Sequence, residues 1–420
     1  MNIFHGIDWL LVFLYASLVF IGWLNIYAAT ITDDNYELIN LSTEYGKQLI
    51  WIGLSIPLII LILLFDAKFY EKYASIFYIV SLISLAGLFV FGKKINGATS
   101  WYDLGGLSLQ PSEFAKAATA LAIAKLVSDK LFNLKKLNAQ LQVFILLFFP
   151  TVLITLQPDA GSALVYVAFI FVLYREGLPI YYIAFGFFAT LLFVITLYFG
   201  YLIVTIGSLF FFTLILAYFI LYRRKAFKKG WVKIIGLYLA SLLFIFSVDL
   251  VFNHVFEQRH RDRFNILLGK TVDLKNIGYN TNQSVKTIAS GGFSGKGFLE
   301  GERTKGKFVP ENQTDYIFTI VGEEWGFIGS TTVIILFVLF SLRIIQIAER
   351  QKSKFTRVYG YSISAIFFMH FTINIGMVLG LLPTIGIPLP FFSYGGSALW
   401  GFTVLLFTFI RLDANKSYEW

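Results

Sequence analysis

Long apolar stretches, each about as long as a membrane-crossing helix, recur along the whole chain. Because a helix rises about 1.5 Å per residue, roughly 20 apolar residues cross the ~30 Å hydrocarbon core of a bilayer. The stretch 180–222 is too long for one crossing, so we divide it near Gly200. The sequence then predicts an all-α polytopic membrane protein, a single integral membrane domain over 1–420 with twelve spans, at 8–29, 48–66, 72–92, 112–128, 140–157, 160–175, 180–199, 201–222, 234–255, 316–342, 358–382 and 397–411.

The composition supports the membrane class and excludes several kinds of site. Apolar residues make up 57% and charged residues 14% of the chain, whereas about a quarter of an average soluble chain is charged. The chain lacks cysteine, so thiolate catalysis, disulfides and cysteine-ligated zinc are excluded, and its four histidines are dispersed. The first apolar stretch lacks a small-residue cleavage site, and we expect a retained helix there rather than a signal peptide.

Lysine and arginine are concentrated in alternate loops, which predicts the orientation of the chain. Such loops are usually cytoplasmic. Here they lie near 68–72, 130–136, 175, 223–229 and 350–357. RRKAFKK at 223–229 is therefore interpreted as a topology signal, and no nucleic-acid partner is predicted. Both termini are then cytoplasmic, and three segments share the outer face, at 91–113, 256–315 and 381–397.

The outer segment 256–315 is long, basic and rich in glycine, most densely in IASGGFSGKGFLEG (288–301). A loop of this length without secondary structure is uncommon unless it is functional. It is either a solvated connection or an active-site loop, in which glycine lets backbone N–H groups approach a phosphate while lysine and arginine supply charge. It has no GKS or GKT sequence, so a nucleotide is not the expected ligand.

Four carboxylates lie within VPENQTDYIFTIVGEEWGF, where the loop meets a predicted span. They are Glu311, Asp315, Glu323 and Glu324. If the helix begins at Tyr316, its rise puts Asp315 about 12 Å above Glu323, level with the lipid headgroups. Asp315 is then either a helix N-cap or a general base beside the basic loop. The two glutamates are either solvated at the interface or paired with bases of the loop.

Two further predicted helix starts carry charge in apolar surroundings. Glu113 and Lys116 in LQPSEFAKAAT are three residues apart and can meet on one helix face. Asp159 follows Pro158 in LQPDAGSALV. Because charges within a membrane are costly unless paired, we expect Lys116 to pair with Asp159 across two helices.

The segment from Pro383 to Gly396 interrupts the last predicted spans. Pro383, Pro388 and Pro390 exclude an uninterrupted helix. Ser393–Gly396 is then expected to form a re-entrant turn, which is tolerated at membrane depth only when protein or water surrounds it.

Together these motifs resemble the SEDS family (shape, elongation, division and sporulation proteins) of bacterial cell-wall polymerases. The resemblance covers about 8–412, and GFSGKG favours the elongation branch. The matching segments are INGATSW..LG.LSLQPSEFAK (95–116), LQPDAGSAL (156–164), HRDRF (260–264), GYNTNQS (278–284), SGGFSGKGFLEG (290–301), VPENQTDYIFTIVGEEWGF (309–327) and N.....GLLPTIGIPLPFFSYGGSA (374–398).

The resemblance implies a peptidoglycan glycosyltransferase. Such an enzyme polymerises lipid II into β-1,4 glycan strands at the outer face of the bacterial cytoplasmic membrane during cell elongation. It does so by inverting transfer, with undecaprenyl pyrophosphate as the leaving group. The implied partners are a class B penicillin-binding protein, lipid II, membrane lipids and other elongation-complex proteins. A divalent cation (Mg or Mn) is the candidate cofactor, and no nucleotide or organic cofactor is expected.

The family's motifs also imply roles for individual residues. Asp315, in the family's TDFIF motif, is the implied catalytic residue. The implied substrate-binding residues are Trp101, Arg261, Arg263, Gln283, Ser284, Lys296, Glu311 and Ser393. The implied structural or supporting residues are Glu113, Lys116, Asp159, Glu323 and Glu324. No metal ligand is assigned.

The chain departs from the family pattern in several places. The family's GTQ is Gly301-Glu302-Arg303 here, the position after GY is Asn280, and Gln313 and Tyr316 replace His and Phe of the aspartate motif. Most members have ten spans, so 180–255 is the expected region of an extra helix pair, and 256–315 the expected extracytoplasmic active-site loop. Two other classes stay open: a lipid II flippase or transporter, and a non-catalytic scaffold of the wall-synthesis complex.

Overall fold

The computed structural model describes residues 6–31, 40–95, 97–103, 105, 108–222, 224–256, 258–270 and 278–415. The chain forms two compact units, the first made of Met1–Pro179 and Asn280–Trp420, the second of Ile180–Tyr279.

The first part of the first unit contains seven helices and a small sheet. The helices are α1 (Trp9–Thr30), α2 (Glu44–Leu64), α3 (Ala67–Phe91), α4 (Pro111–Ser128), α5 (Leu137–Leu156), α6 (Ala160–Val165) and α7 (Ala168–Arg175). The antiparallel sheet lies between α3 and α4, with β1 (Lys93–Ile95), β2 (Ala98–Asp103) and β3 (Ser108–Leu109) in that order. The helical pattern did not predict this sheet, in which Lys93 is opposite Trp101 and Tyr102 is opposite Leu109.

The described residues of the second unit form four helices. They are α8 (Tyr181–Phe199), α9 (Tyr201–Tyr222), α10 (Arg224–Leu250), which continues as a π-helical turn at Val251–Val255, and α11 (Gln258–Leu267). Within this unit α10 packs against α9 and α8. The region 180–255, for which the sequence predicts extra helices, falls here.

The chain then returns to the first unit. The remaining helices are α12 (Tyr279–Ser290), α13 (Glu302–Lys305), α14 (Phe318–Ile320), a π-helical turn at Val321–Trp325, α15 (Gly326–Glu349), α16 (Lys354–Val378) and α17 (Gly396–Ala414). The segment 256–315, predicted to lie on the outer face, therefore has helices of its own in its described part, which periodicity did not reveal. No helix runs through Leu379–Gly395, as the prolines predicted.

A helix occurs at each of the twelve predicted spans, which confirms the all-α polytopic architecture. In the described residues, ten helices are long and apolar enough to cross a membrane. The other two positions are occupied by α4, which carries Glu113, Lys116 and Lys125 along its 18 residues, and by the apolar run Ala160–Arg175, which divides into α6 and α7.

The helix α4 lies at the centre of the first unit. It packs against α3, α5, α16 and α17, and all but four of its residues are buried. Its many alanines allow neighbouring backbones to come close. At Gly401 on α17, an added Cβ would lie 2.7 Å from the Cβ of Glu113, so only glycine fits there.

Ion pairs join the ends of α1, α15 and α17. The Asp8 side chain, 6% exposed, accepts hydrogen bonds from Arg343 (2.6 Å) and Arg350 (3.3 Å), and it caps α1 by accepting from the N–H of Leu11. Arg350 also donates to Asp413 (2.8 Å).

Replacing Asp8 by asparagine should lower the free energy of unfolding by about 1–3 kcal/mol. The shape of the side chain is kept, but two arginines lose the charge that they share. The unfolding midpoint of the purified protein in detergent measures this. Asp103→Asn is the control because its pair with Lys93 is exposed, so its loss should cost less than about 1 kcal/mol. Equal losses in the two variants would contradict the prediction.

Candidate active site

Asp315 lies in the turn that leads into the helix α14. It is half-buried, and the helix begins three residues later, with Ile317 as an N-cap that makes no side-chain cap bond. Asp315 is therefore not the N-cap of this helix. Its main-chain oxygen accepts a hydrogen bond from Nδ2 of Asn374 (2.8 Å). The 12 Å rise expected between Asp315 and Glu323 assumed a regular α-helix. The chain between them is instead a turn followed by a π-helical turn, so that rise does not apply.

The non-helical segment before α17 borders this turn. An added Cβ at Gly386, whose φ is +79°, would lie 3.3 Å from Oδ2 of Asp315. Thr384 lies 3.0 Å from the Tyr316 hydroxyl, oxygen to oxygen, and the N–H of Tyr394 donates to the carbonyl of Gln313 (2.9 Å). A main-chain bond at Gln313 and a hydroxyl contact at Tyr316 thus fix the turn on both sides of Asp315.

Glu323, in the π-helical turn, accepts hydrogen bonds from the glycine-rich loop and from α13. Its Oε1 accepts from Nζ of Lys296 (3.1 Å) and from the N–H of Arg303 (3.0 Å). Its Oε2 accepts from the N–H (2.8 Å) and the hydroxyl (2.7 Å) of Thr304. The side chain is fully buried, so pairing with a loop base, and not solvation, describes it. The hydrogen bond to Glu323 in turn raises the pKa of the Lys296 ammonium.

The glycine-rich loop packs directly on the π-helical turn. An added Cβ at Gly291 would lie 2.0 Å from the carbonyl oxygen of Gly322, and one at Gly295 would lie 2.2 Å from that of Glu324. The N–H groups of Lys296 and Gly297 donate to the carbonyls of the two glutamates, 3.0 Å each. The expectation that glycine here brings N–H groups to a phosphate is therefore wrong for these two donors, which are already used.

Glu324 is buried beside Glu323 but has fewer partners. Its Oε2 accepts from the N–H of Leu299 (3.2 Å), and its Oε1 is buried with no hydrogen-bond partner among the described residues. A π-helical turn inside a helix often marks a functional site. Here it directs two successive carboxylates toward the loop that follows α12.

The charged residues of α4 form a buried group, but not the one expected. Lys116 donates to Oε2 of Glu113 (2.8 Å), which confirms that these two side chains share a helix face. Its second bond goes to Nε2 of His370 (2.9 Å), so the predicted pairing with Asp159 is wrong. Asp159 instead caps α6 through the N–H of Ser162 (3.0 Å) and accepts from Gln110 (3.0 Å). Asp159 is the N-cap of α6, and this capping bond directs its side chain toward the start of that helix.

Three of the predicted substrate-binding residues make hydrogen bonds within the protein. Gln283 accepts from Arg303, Ser284 is buried and donates to the carbonyl of Val378, and Ser393 closes its turn by accepting from the N–H of Leu389. Their roles toward substrate stay predictions.

The other predicted residues are more open. Trp101 is half-buried on β2, and Glu311 is exposed with φ +55°, lining a cleft of about 360 Å³ between the ends of α1 and α2 and the Asp315 turn. Arg261 and Arg263 lie on α11 in the second unit, where Arg261 donates to the carbonyl of Asn253 (3.0 Å). The structure therefore brings Lys296, Gln283, Ser284 and the two glutamates to the elements around α12, and Ser393 to the segment beside Asp315.

The sequence analysis assigned no role to four residues of this region, although Asn374 and Gly386 stand in one of the matching segments. Arg303 bonds to Gln283 and Thr287, His370 bonds to Lys116, Asn374 bonds to the main-chain oxygen of Asp315, and Gly386 borders the Asp315 carboxylate. The i, i+4 spacing of His370 and Asn374 in the mostly apolar second half of α16 was the signal available in the sequence. Among the described residues, no group of three or more His, Asp or Glu side chains is placed to hold a metal ion.

Comparison with protein families gives one match that extends over nearly the whole chain. The FtsW/RodA/SpoVE family model, described as a cell cycle protein, matches residues 8–231 and 204–418. The two matched ranges overlap within the region where extra helices are predicted.

Curated proteins of named activity are similar over most of their length. The chain is 29% identical to the peptidoglycan glycosyltransferase RodA of Treponema pallidum, covering 97% of both chains. It is 31% identical to the peptidoglycan glycosyltransferase MrdB of Escherichia coli, covering 83% of this chain and 80% of that protein.

Two solved structures share the fold. One belongs to a peptidoglycan synthase complex described as coordinating polymerization and crosslinking, with a TM-score of 0.71, 25% identity and coverage of 98% of this chain and 99% of that one. The other is the rod shape determining protein RodA of Thermus thermophilus, with a TM-score of 0.62, 23% identity and coverage of 98% and 97%.

Proposed function

The chain belongs to the FtsW/RodA/SpoVE family of cell cycle proteins, and we propose that it is a peptidoglycan glycosyltransferase of the elongation branch. The observation that carries the proposal is the similarity over nearly the full length to proteins named for this activity. The half-buried Asp315, whose main chain bonds to Asn374 and whose carboxylate lies beside Gly386, provides the carboxylate that the reaction needs. The substrate is lipid II, used as both donor and acceptor at the outer face of the bacterial cytoplasmic membrane.

In the proposed mechanism Asp315 acts as the general base. It removes the proton of the 4-hydroxyl of the acceptor GlcNAc, and that oxygen attacks the anomeric carbon of the donor MurNAc. The bond to undecaprenyl pyrophosphate breaks on the opposite face, so the α-linkage becomes a β-1,4 bond. One displacement requires one base and no covalent intermediate with the enzyme.

The leaving pyrophosphate requires positive charge nearby. Lys296 is the candidate on the loop beside Glu323, and it keeps about a quarter of its side chain exposed while it bonds to that glutamate. Arg261 and Arg263 are proposed to contribute on α11. We also propose that a divalent cation, Mg or Mn, assists; with no cluster of three ligands in the described part of the chain, it would take most of its ligands from the pyrophosphate oxygens.

We propose a class B penicillin-binding protein as partner, because one similar structure belongs to a complex that coordinates polymerization and crosslinking. Both termini are proposed to be cytoplasmic, which places the Asp315 turn and α12 on the outer side.

Polymer formation from labelled lipid II in detergent tests the proposed function. The purified chain, with and without a class B penicillin-binding protein, should convert lipid II into glycan strands that lysozyme-type muramidases digest. Detergent micelles have no second compartment, so a flippase would form no polymer there. A non-catalytic scaffold would add no polymer to the amount that the penicillin-binding protein forms alone. Absence of polymer under all these conditions would favour one of those two classes.

Gly386→Ala should slow polymerisation by about tenfold or more. The new Cβ would meet Oδ2 of Asp315 at 3.3 Å in a backbone conformation that alanine rarely adopts, so the carboxylate must move. Initial rates at saturating lipid II measure the effect. Gly177→Ala is the matched control, since its φ is also positive (+110°) but no atom lies within 4 Å of the added Cβ. Similar rates in the two variants would contradict the contact with Asp315.

A further inference from the structure

A buried chain of hydrogen bonds leads from α4 to the Asp315 turn. Lys116 donates to Glu113 and to Nε2 of His370. An ammonium group has only donors, so Nε2 of His370 must accept, and the ring proton lies on Nδ1. That proton is directed at the carbonyl oxygen of Pro388 (3.2 Å). The bonds on its two sides thus define one tautomer of His370.

One turn further along α16, Asn374 makes two bonds from a single amide nitrogen. Its Nδ2 donates to the carbonyl of Ile387 (2.7 Å) and to the carbonyl of Asp315 (2.8 Å). His370 and Asn374 therefore hold two successive carbonyls of the proline-interrupted segment, at Pro388 and Ile387. The next residue back, Gly386, is the one that borders the Asp315 carboxylate.

These groups are costly to bury, and the mechanism uses none of them directly. Glu113, Lys116, His370 and Asn374 are all 2% exposed or less. A non-helical segment has no hydrogen-bond ladder to fix its position. The side chains of α16 replace that ladder at the carbonyls next to the contact with Asp315.

We propose that His370 and Asn374 are positioning residues for Asp315, with the Lys116–Glu113 pair fixing the orientation of His370. This inference rests on the proposed function, because it assigns these residues to the base of that reaction. They touch neither substrate nor the reacting atoms. They act by holding the Ile387–Pro388 segment and the Asp315 main chain in one register, so that the carboxylate meets the acceptor hydroxyl at reacting distance.

The test uses His370→Phe and Asn374→Leu in the full-length protein with lipid II. Phenylalanine keeps an aromatic ring against Phe402, now 4.9 Å from the histidine ring between centroids, but loses the bonds to Lys116 and Pro388. Each variant should lower kcat by about 10–100-fold while KM for lipid II changes less than about threefold. His370→Gln, whose amide can both accept and donate, should recover most of the lost rate.

A double-mutant comparison separates positioning from a general structural role. Residues that act only through Asp315 have nothing left to position once Asp315→Asn has removed the base, so His370→Phe should cause little further loss in that background. A loss of folded protein would multiply with the first loss instead. Ser362→Ala is the matched control, because Ser362 is equally buried on α16 and bonds only to the carbonyl of Val358 among the described contacts.

The inference is overturned if both variants keep more than half of kcat, or if their losses multiply in the Asp315→Asn background. It is also overturned if folded yield falls in step with activity for His370→Phe and His370→Gln alike. Failure of the proposed function has a different signature, since the unaltered protein would then form no polymer from lipid II. Failure of the base assignment alone would leave Asp315→Asn polymerising lipid II at the normal rate.

Discussion

Polymerisation of lipid II should fall by about 10²–10⁴-fold when Asp315 is replaced by asparagine, the range in which a general base contributes. The amide keeps the shape of the side chain and the main-chain bond from Asn374, but it cannot take the proton of the acceptor hydroxyl. Binding of lipid II and the unfolding midpoint should stay close to those of the unaltered protein, because the change removes no packing.

Three measurements on one preparation make this result specific to the base. They are the initial rate at saturating lipid II, the affinity for lipid II, and the unfolding midpoint in detergent. Asp103→Asn is the matched control, since it makes the same chemical change at an exposed aspartate of β2 and should leave the rate unchanged. A near-normal rate for Asp315→Asn would remove the base assignment. A normal rate constant with weaker binding of lipid II would indicate that Asp315 binds the substrate and is not the base.

The membrane helices could be predicted from the sequence because their signal is long and redundant. About 20 apolar residues must follow one another for each crossing, so a few exceptions do not hide a span. The short sheet before α4 gave no such signal. Its strands β1 and β3 have three and two residues, and a period of two cannot be recognised over that length.

The candidate site could be predicted only in part. The motif placed Asp315 where a helix begins, and the three-residue spacing placed Glu113 beside Lys116. The partners of these residues depend on the proline-interrupted segment. Its sequence has no periodicity that would show which of its carbonyl groups faces which helix. The predicted pairing of Lys116 with Asp159 therefore failed, because the sequence does not show that His370 faces Lys116 while Asp159 caps its own helix.

The glycine-rich loop shows how one composition can serve two purposes. Glycine permits close approach to an anion or to another backbone, and the sequence alone does not distinguish these partners. Here the partner of Gly291 and Gly295 is the main chain of the π-helical turn. The loop carries Lys296 on a support that is held by main-chain bonds, which leaves the ammonium group as the part that can still contact a phosphate.

Glu323→Gln should lower the free energy of unfolding by about 2–4 kcal/mol. The buried carboxylate accepts from Lys296, from the N–H of Arg303 and twice from Thr304. An amide has only one acceptor oxygen, so its nitrogen must face donors on one side, and those donors lose their partner without reaching water. Unfolding in detergent measures the loss, and protease sensitivity of 288–305 should rise because this carboxylate joins that loop to the membrane helix.

Lys296→Met separates the support of the loop from contact with the phosphate. It removes one charged donor but leaves Glu323 with its main-chain and hydroxyl donors, so the free energy of unfolding should fall by about 1–2 kcal/mol, less than in Glu323→Gln. If Lys296 also binds the pyrophosphate, KM for lipid II should rise about tenfold, the value of one charge-assisted hydrogen bond. An unchanged KM would leave Lys296 as a partner of Glu323 alone and move the phosphate contact to other cations. A large loss of stability in Lys296→Met would instead mean that the ion pair holds the loop. The variant keeps the bonds that the Glu323 carboxylate accepts from main-chain and hydroxyl donors, so those bonds would then be insufficient.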